Sequence, residues 1–260
     1  MRISNRMLIG RHHGFSLLEL LVGLIIFSLL MVGIHRLFNT SQNIQAIGID
    51  LSEAQQNARI AMATLEKDLR LAGFGIPPHV QAPILVASEY RVTFVRDTNG
   101  NGVVDLGETI TYFLDPNTSV FAAASTPNPR DMVLRRVTSD SLNADAQPIS
   151  GYGDIVACGI TQQTDDDGSL DVPMFSYFDE HSNSLVNTGA YDPCSADFGY
   201  TISDTTVLGR PPGGANQVMI KTIGITIVCE SEATDEFLHD YQRVDLTTLV
   251  APRNLPLNLR

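Results

Sequence analysis

From Phe15 to Ile34 the chain runs for 20 residues with a single charge, Glu19. As a helix this run is about 30 Å long, enough to cross the hydrocarbon core of a bilayer. The residues before it carry Arg2, Arg6 and Arg11 and no acid. That asymmetry keeps the extreme N-terminus in the cytoplasm and sends the rest of the chain outward.

Two details depart from an ordinary secretory signal. Such a signal is cut after its apolar region, at small residues, yet no site of that kind follows Ile34 and the chain continues as polar helix. The second is Glu19 itself, because a lone carboxylate at the centre of a membrane helix costs about 2.5–3.5 kcal/mol on insertion scales. A cut between Gly14 and Phe15 accounts for both. Phe15 then carries a new α-amine close to Glu19, in the same or a neighbouring helix.

Gly14-Phe15-Ser16-Leu17-Leu18-Glu19-Leu20 resembles the cleavage and methylation motif of type IV pilins and type II secretion pseudopilins. The resemblance implies that a membrane aspartyl prepilin peptidase cuts after Gly14 and that Phe15 is N-methylated. It also implies that Glu19, fifth in the mature chain, guides assembly. Asn57-Ala58-Arg59-Ile60-Ala61-Met62, the run Leu65 to Gly73, and the closing segment Leu246 to Leu255 are similar to PilW-like minor pilins.

Helical spacing continues beyond the apolar run. Ile44, Ile47, Leu51, Ala54, Ala58, Ala61, Leu65, Leu69 and Ala72 recur at steps of three and four, which makes one apolar stripe. Gly73, Gly75, Pro77 and Pro78 end it. A helix from Phe15 to about Ala72 is expected, with an alanine-rich stripe suited to close packing on a sheet. Tyr90–Arg96, Thr109–Leu114, Met132–Val137, Pro173–Phe178, Val218–Val228 and Gln242–Val250 read as strands. Residues 115–130, 138–153 and 182–216 read as loops. The expected class is α+β: a long helical spine packed on an antiparallel β-sheet head. Its divisions are a leader over 1–14, a membrane part of the helix over 15–34, an amphipathic part over 35–73, and a β-rich head over 74–260.

Between two of these strands, residues 97–108 match D-x-[DN]-x-[DN]-G-x₅-E at every specified position. Asp97, Asn99 and Asn101 would offer side-chain oxygens to calcium and Val103 its carbonyl. Asp105 would bind directly or through water, Glu108 with both oxygens, and Gly102 permits the turn. The alternative is a hydrated hairpin, for which Asn99-Gly100 and Asn101-Gly102 are good turn formers. Asp165-Asp166-Asp167-Gly168 with Asp171 lacks the full spacing and reads as a solvated loop.

Cys158, Cys194 and Cys229 all follow the apolar run, on the side where disulfides form. Cys229 is in phase with Ile223, Ile225 and Ile227, so it belongs to the core. The expected bridge is therefore Cys158–Cys194, with three unpaired thiols as the alternative.

Net charge is -12, and removal of the leader leaves 14 basic against 29 acidic residues, a net of -15. Direct nucleic-acid contact is not expected, because phosphate binding needs clustered Lys and Arg. No G-x-S-x-G, phosphate loop or H-E-x-x-H is present, and His35, His79, His181 and His239 are scattered, so no enzyme is expected. The resemblance implies a minor pilin that helps prime type IV pilus assembly, with adhesion or motility as further roles. Its partners would be the prepilin peptidase, the inner membrane and other minor and major pilins or pseudopilins. The protein would sit as a single span with a periplasmic head and reach the pilus and cell surface on assembly. Two alternatives stand beside it: a J-type minor pseudopilin of type II secretion, and a permanently anchored, calcium-dependent adhesin.

Overall fold

The computed structural model describes residues 15–77, 83–116, 130–139, 153–163, 169–179, 181–182, 184–185, 220–234 and 241–255. The chain divides into two compact units, Met1–Ala46 and Ile47–Arg260. Helix α1 spans Leu17–Leu69. Its hydrogen bonding begins where the Leu20 amide donates to the Ser16 carbonyl at 3.1 Å, and Glu19 lies in the first turn. In the first unit the helix is apolar all round from Leu20 to Ile34, and its large side chains from Leu17 to Ile34 are exposed.

In the second unit the expected stripe is buried from Ala54 onward: Ala58, Ala61, Leu65, Leu69 and Ala72 are all inaccessible to solvent. The stripe does not extend back as far as expected, since Ile44, within the first unit, is 60% exposed. The helix also ends earlier than Ala72. The amides of Leu71 and Ala72 bond three residues back, to Asp68 and Leu69, so the last turn is tightened.

Beyond that turn, Gly73 and Gly75 adopt φ of 75° and 77°. The Gly73 amide donates to the Val95 carbonyl at 2.8 Å, and the Asp97 amide donates to the Phe74 carbonyl at 2.8 Å. A Cβ on Gly75 would lie 2.7 Å from Asp97 Cβ, so this close approach of two chain segments requires glycine.

Among the described residues nine strands follow: β1 Ile84–Ala87, β2 Arg91–Val95, β3 Thr109–Asp115, β4 Met132–Ser139, β5 Asp154–Ile160, β6 Phe175–Phe178, β7 Ser184–Leu185, β8 Thr222–Thr234 and β9 Tyr241–Val250. They form one sheet in the order β1-β2-β3-β4-β5-β8-β6-β7, with β9 also paired to β8. The described pairs are antiparallel. The six expected strands are present with shifted ends. β1 and β5 are additional, and β7 falls inside a stretch read as loop.

The alanines of α1 keep the helix close to the sheet. They share one core with Val92, Phe94, Tyr112, Leu134, Ile225 and Ile227. Phe94 and Tyr112 stack with centroids 6.3 Å apart. Past the end of β5, Gln162 has φ 54°. Its side-chain amide donates to the Thr226 carbonyl at 2.7 Å and accepts from the Val228 amide at 2.7 Å. It thereby bonds the β8 backbone as a neighbouring strand would.

Candidate functional site

The processing segment comes first in the chain. Gly14 lies outside the described residues. Phe15 stands just before α1 with its side chain 82% exposed. Glu19, one turn further on, is also exposed, at the helix end where a negative charge is favoured. α1 is long and apolar enough to cross a membrane, and with its N-terminal motif it is consistent with membrane anchoring.

The loop of residues 97–108 joins β2 to β3, closed by the pair Val95 and Thr109. Asp97 and Glu108, at its two ends, are each only 2% exposed. Asp97 accepts backbone amides from Asn99, Gly100 and Gly102 at 3.1, 2.6 and 2.7 Å. Glu108 accepts the Thr98, Asn99 and Asp105 amides at 2.7, 3.3 and 2.8 Å, and the Thr98 hydroxyl at 2.8 Å. The Asp105 amide is the main cause that holds the Glu108 carboxyl below its ordinary pKa, against the opposing effect of burial.

On the outer side of the loop, the amide groups of Asn99 and Asn101 both donate to Asp105 Oδ2, at 2.7 and 2.5 Å. Asn99, Asn101 and Asp105 therefore converge. The Asp97 and Glu108 carboxylates instead face backbone amides. No group of three or more Asp, Glu, His or Cys side chains converges as a metal cage among the described residues. Val103 donates its amide to Asn101 Oδ1 at 2.8 Å.

A second polar centre lies between α1 and the sheet, at Asp68. Sequence reading placed it on no face. Positions 54, 58, 61, 65, 68 and 72 alternate steps of four and three, so Asp68 occupies a slot of the buried stripe, where an acid needs partners. The sheet supplies them. Arg96 donates at 3.2 Å, Arg136 at 3.0 Å and the Tyr112 hydroxyl at 2.7 Å. Burial works to raise the Asp68 pKa, but the bonds from Tyr112 and Arg136 and the charges of Arg136 and Arg96 outweigh it and lower it. Burial and the Asp68 bond raise the Tyr112 pKa.

Cys229 is fully buried on β8, as its phase implied, and burial pushes its thiol up to about 12. Burial also raises the Cys158 thiol. Both carry free thiols. The other half of the expected bridge, Cys194, lies outside the described residues, as does the Asp165 to Gly168 loop.

Residues 9–34 match the family described as the prokaryotic N-terminal methylation motif. With the apolar helix and the helix-on-sheet architecture, this match supports a type IV pilin-like protein, a pilin or pseudopilin processed by prepilin peptidase. No curated protein and no solved structure matches the chain.

Proposed function

We propose that this protein is a minor pilin, a non-catalytic subunit that helps prime type IV pilus assembly. The observation that carries this reading is one chain joining the methylation motif at residues 9–34 to a separate folded unit, Ile47–Arg260. A cleavable secretory signal is discarded and leaves no apolar helix on the mature protein. Here the apolar segment and the first turns of the folded unit share α1. Cutting at Gly14 keeps that segment on the mature chain and turns Phe15 into a cation beside the Glu19 carboxylate. A paired charge costs far less in hydrocarbon than a lone one. The rest of the chain then lies on the periplasmic side and reaches the surface on assembly.

Intact-mass analysis of the native protein tests this. A processed form beginning at methylated Phe15 is expected, and a mature N-terminus at Met1 alone overturns the reading. Co-purification with pilus subunits is expected as well. Recovery with secretion pseudopilins alone assigns the protein to the J-type class instead.

The loop of residues 97–108 belongs to the same proposal as a calcium site. Its side-chain oxygens are hard donors at the required spacing, and a bound ion would take Asp105 over from the Asn99 and Asn101 N–H groups that hold it here. Those three side chains, Asp97, Glu108 and the Val103 carbonyl would hold the ion. When bound, calcium supplies charge neutralisation and a rigid β2–β3 junction.

A further inference from the structure

Where the last turns of α1 meet the sheet, Ala63, Thr64, Lys67, Asp68, Arg96 and Arg136 line an open groove of about 470 Å³. Three cations there face one carboxylate, a local charge of +2 on a chain of net charge -12. Asp68 does not exhaust the donors. It accepts from one Nη of Arg96, from Nε of Arg136 and from Tyr112, whereas each guanidinium carries five N–H groups. Arg96 Nε is buried and makes no hydrogen bond. Lys67 is exposed and, among the described residues, forms no ion pair. The Thr64 hydroxyl is already engaged, donating to the Ile60 carbonyl at 2.8 Å.

We propose that this groove binds a carboxylate presented by another protein chain, as an acidic peptide segment presents it. Guanidinium groups offer the parallel N–H pairs that a carboxylate accepts with both oxygens, and Lys67 adds a mobile point charge at the rim. A second singly charged group continues the alternation of charge that Asp68 begins. Phosphate oxygens can accept from the same cations, so inorganic phosphate is the competitor the proposal must survive. The small side chain of Ala63 leaves the rim open. Elsewhere the acidic chain repels polyanions, so attraction to one is a property of this groove.

The test uses the full-length protein in non-ionic detergent, with a fluorescent hexaglutamate peptide as probe and inorganic phosphate as competitor. Saturable hexaglutamate binding that weakens with salt is expected. Lys67→Glu should weaken it about tenfold, and Lys67→Ala by less. Lys221→Glu, the same charge change outside the groove, should leave it unaltered. The melting temperatures of all three variants should match the wild type, since Lys67 is exposed and Lys221 is part-exposed. Absence of saturable binding overturns the proposal. So does an equal loss in Lys67→Glu and Lys221→Glu, or displacement of hexaglutamate by phosphate at equal concentration.

Discussion

The Tyr112 hydroxyl donates to Asp68 Oδ2 at 2.7 Å across 44 residues of chain, tying α1 to β3 through a bond the surrounding core buries. Arg96 and Arg136 complete the junction from the residue after β2 and from β4. A hydrogen bond to a charged group contributes about 1.5–3 kcal/mol. Tyr112→Phe should therefore cost about that much in urea unfolding of the full-length protein. Asp68→Ala should cost more, because it leaves two guanidiniums facing each other.

The same carboxylate makes stability sensitive to acid. Its pKa is lowered in the folded chain, whereas an unfolded aspartate titrates at about 3.9. Its stabilising contribution is therefore complete above about pH 4 and is lost as pH falls through the lower folded value. Unfolding followed from pH 7 to pH 2 should show a decline in that acid window. Asp68→Asn should flatten the decline while lowering stability at pH 7.

Processing and assembly separate at the N-terminus. Gly14→Val should leave the leader attached, because a peptidase fitted to glycine before the cut cannot accept a branched side chain there. Immunoblot mobility and intact mass read this directly. Glu19→Ala should be cut and inserted normally yet co-purify poorly with other pilins. Wild-type recovery of that variant removes the assembly role from Glu19.

With Asn at positions 99 and 101, the proposed calcium site would have only three charged ligands, Asp97, Asp105 and Glu108. Its affinity should lie near the ~10⁻⁴–10⁻³ M of extracellular modules. At 100 times Kd the ion should add about 2.7 kcal/mol, read as a higher Tm in calcium than in chelator. Glu108→Ala should abolish the difference. Equal Tm in both conditions for the wild type assigns the loop to its own hydrogen bonds.

Cys229 should resist iodoacetamide at pH 8 in the folded protein and react once urea unfolds it, because the thiolate is the nucleophile and burial suppresses it. Peptide mapping of both samples checks this. Modification of folded protein at Cys229 would contradict its place in the core.

The helix, its glycine-rich end and six strands were legible because each is written locally, in periodicity or β-branched runs. Ile84–Ala87 is a continuous apolar run without period-2 alternation, so its strand character is not written in its pattern. Asp154–Ile160 pairs with β4 through two register irregularities, which blur its alternation. Burial of the stripe begins at Ala54 and not at Ile44, because spacing alone does not say where a sheet begins to cover a helix. Asp68 was legible in principle, as an acid in the slot between Leu65 and Ala72. What it bonds was not, because Arg96, Tyr112 and Arg136 are 28, 44 and 68 residues away. The oxygen donors of the 97–108 loop were readable from spacing. That Asp97 and Glu108 would turn toward backbone amides depends on three-dimensional closure of the β2–β3 connection.

Gln162 closes the sheet without a strand. Where the sheet forks around β8, the Thr226 carbonyl and the Val228 amide lie between the bonds that Met174 and Thr161 make to the same strand, and one fully buried side-chain amide pairs both. Gln162→Ala would leave that donor and that acceptor without partners, and a buried group left so costs about 1–3 kcal/mol. The defect would surface as a lower Tm of the folded unit rather than as a lost ligand.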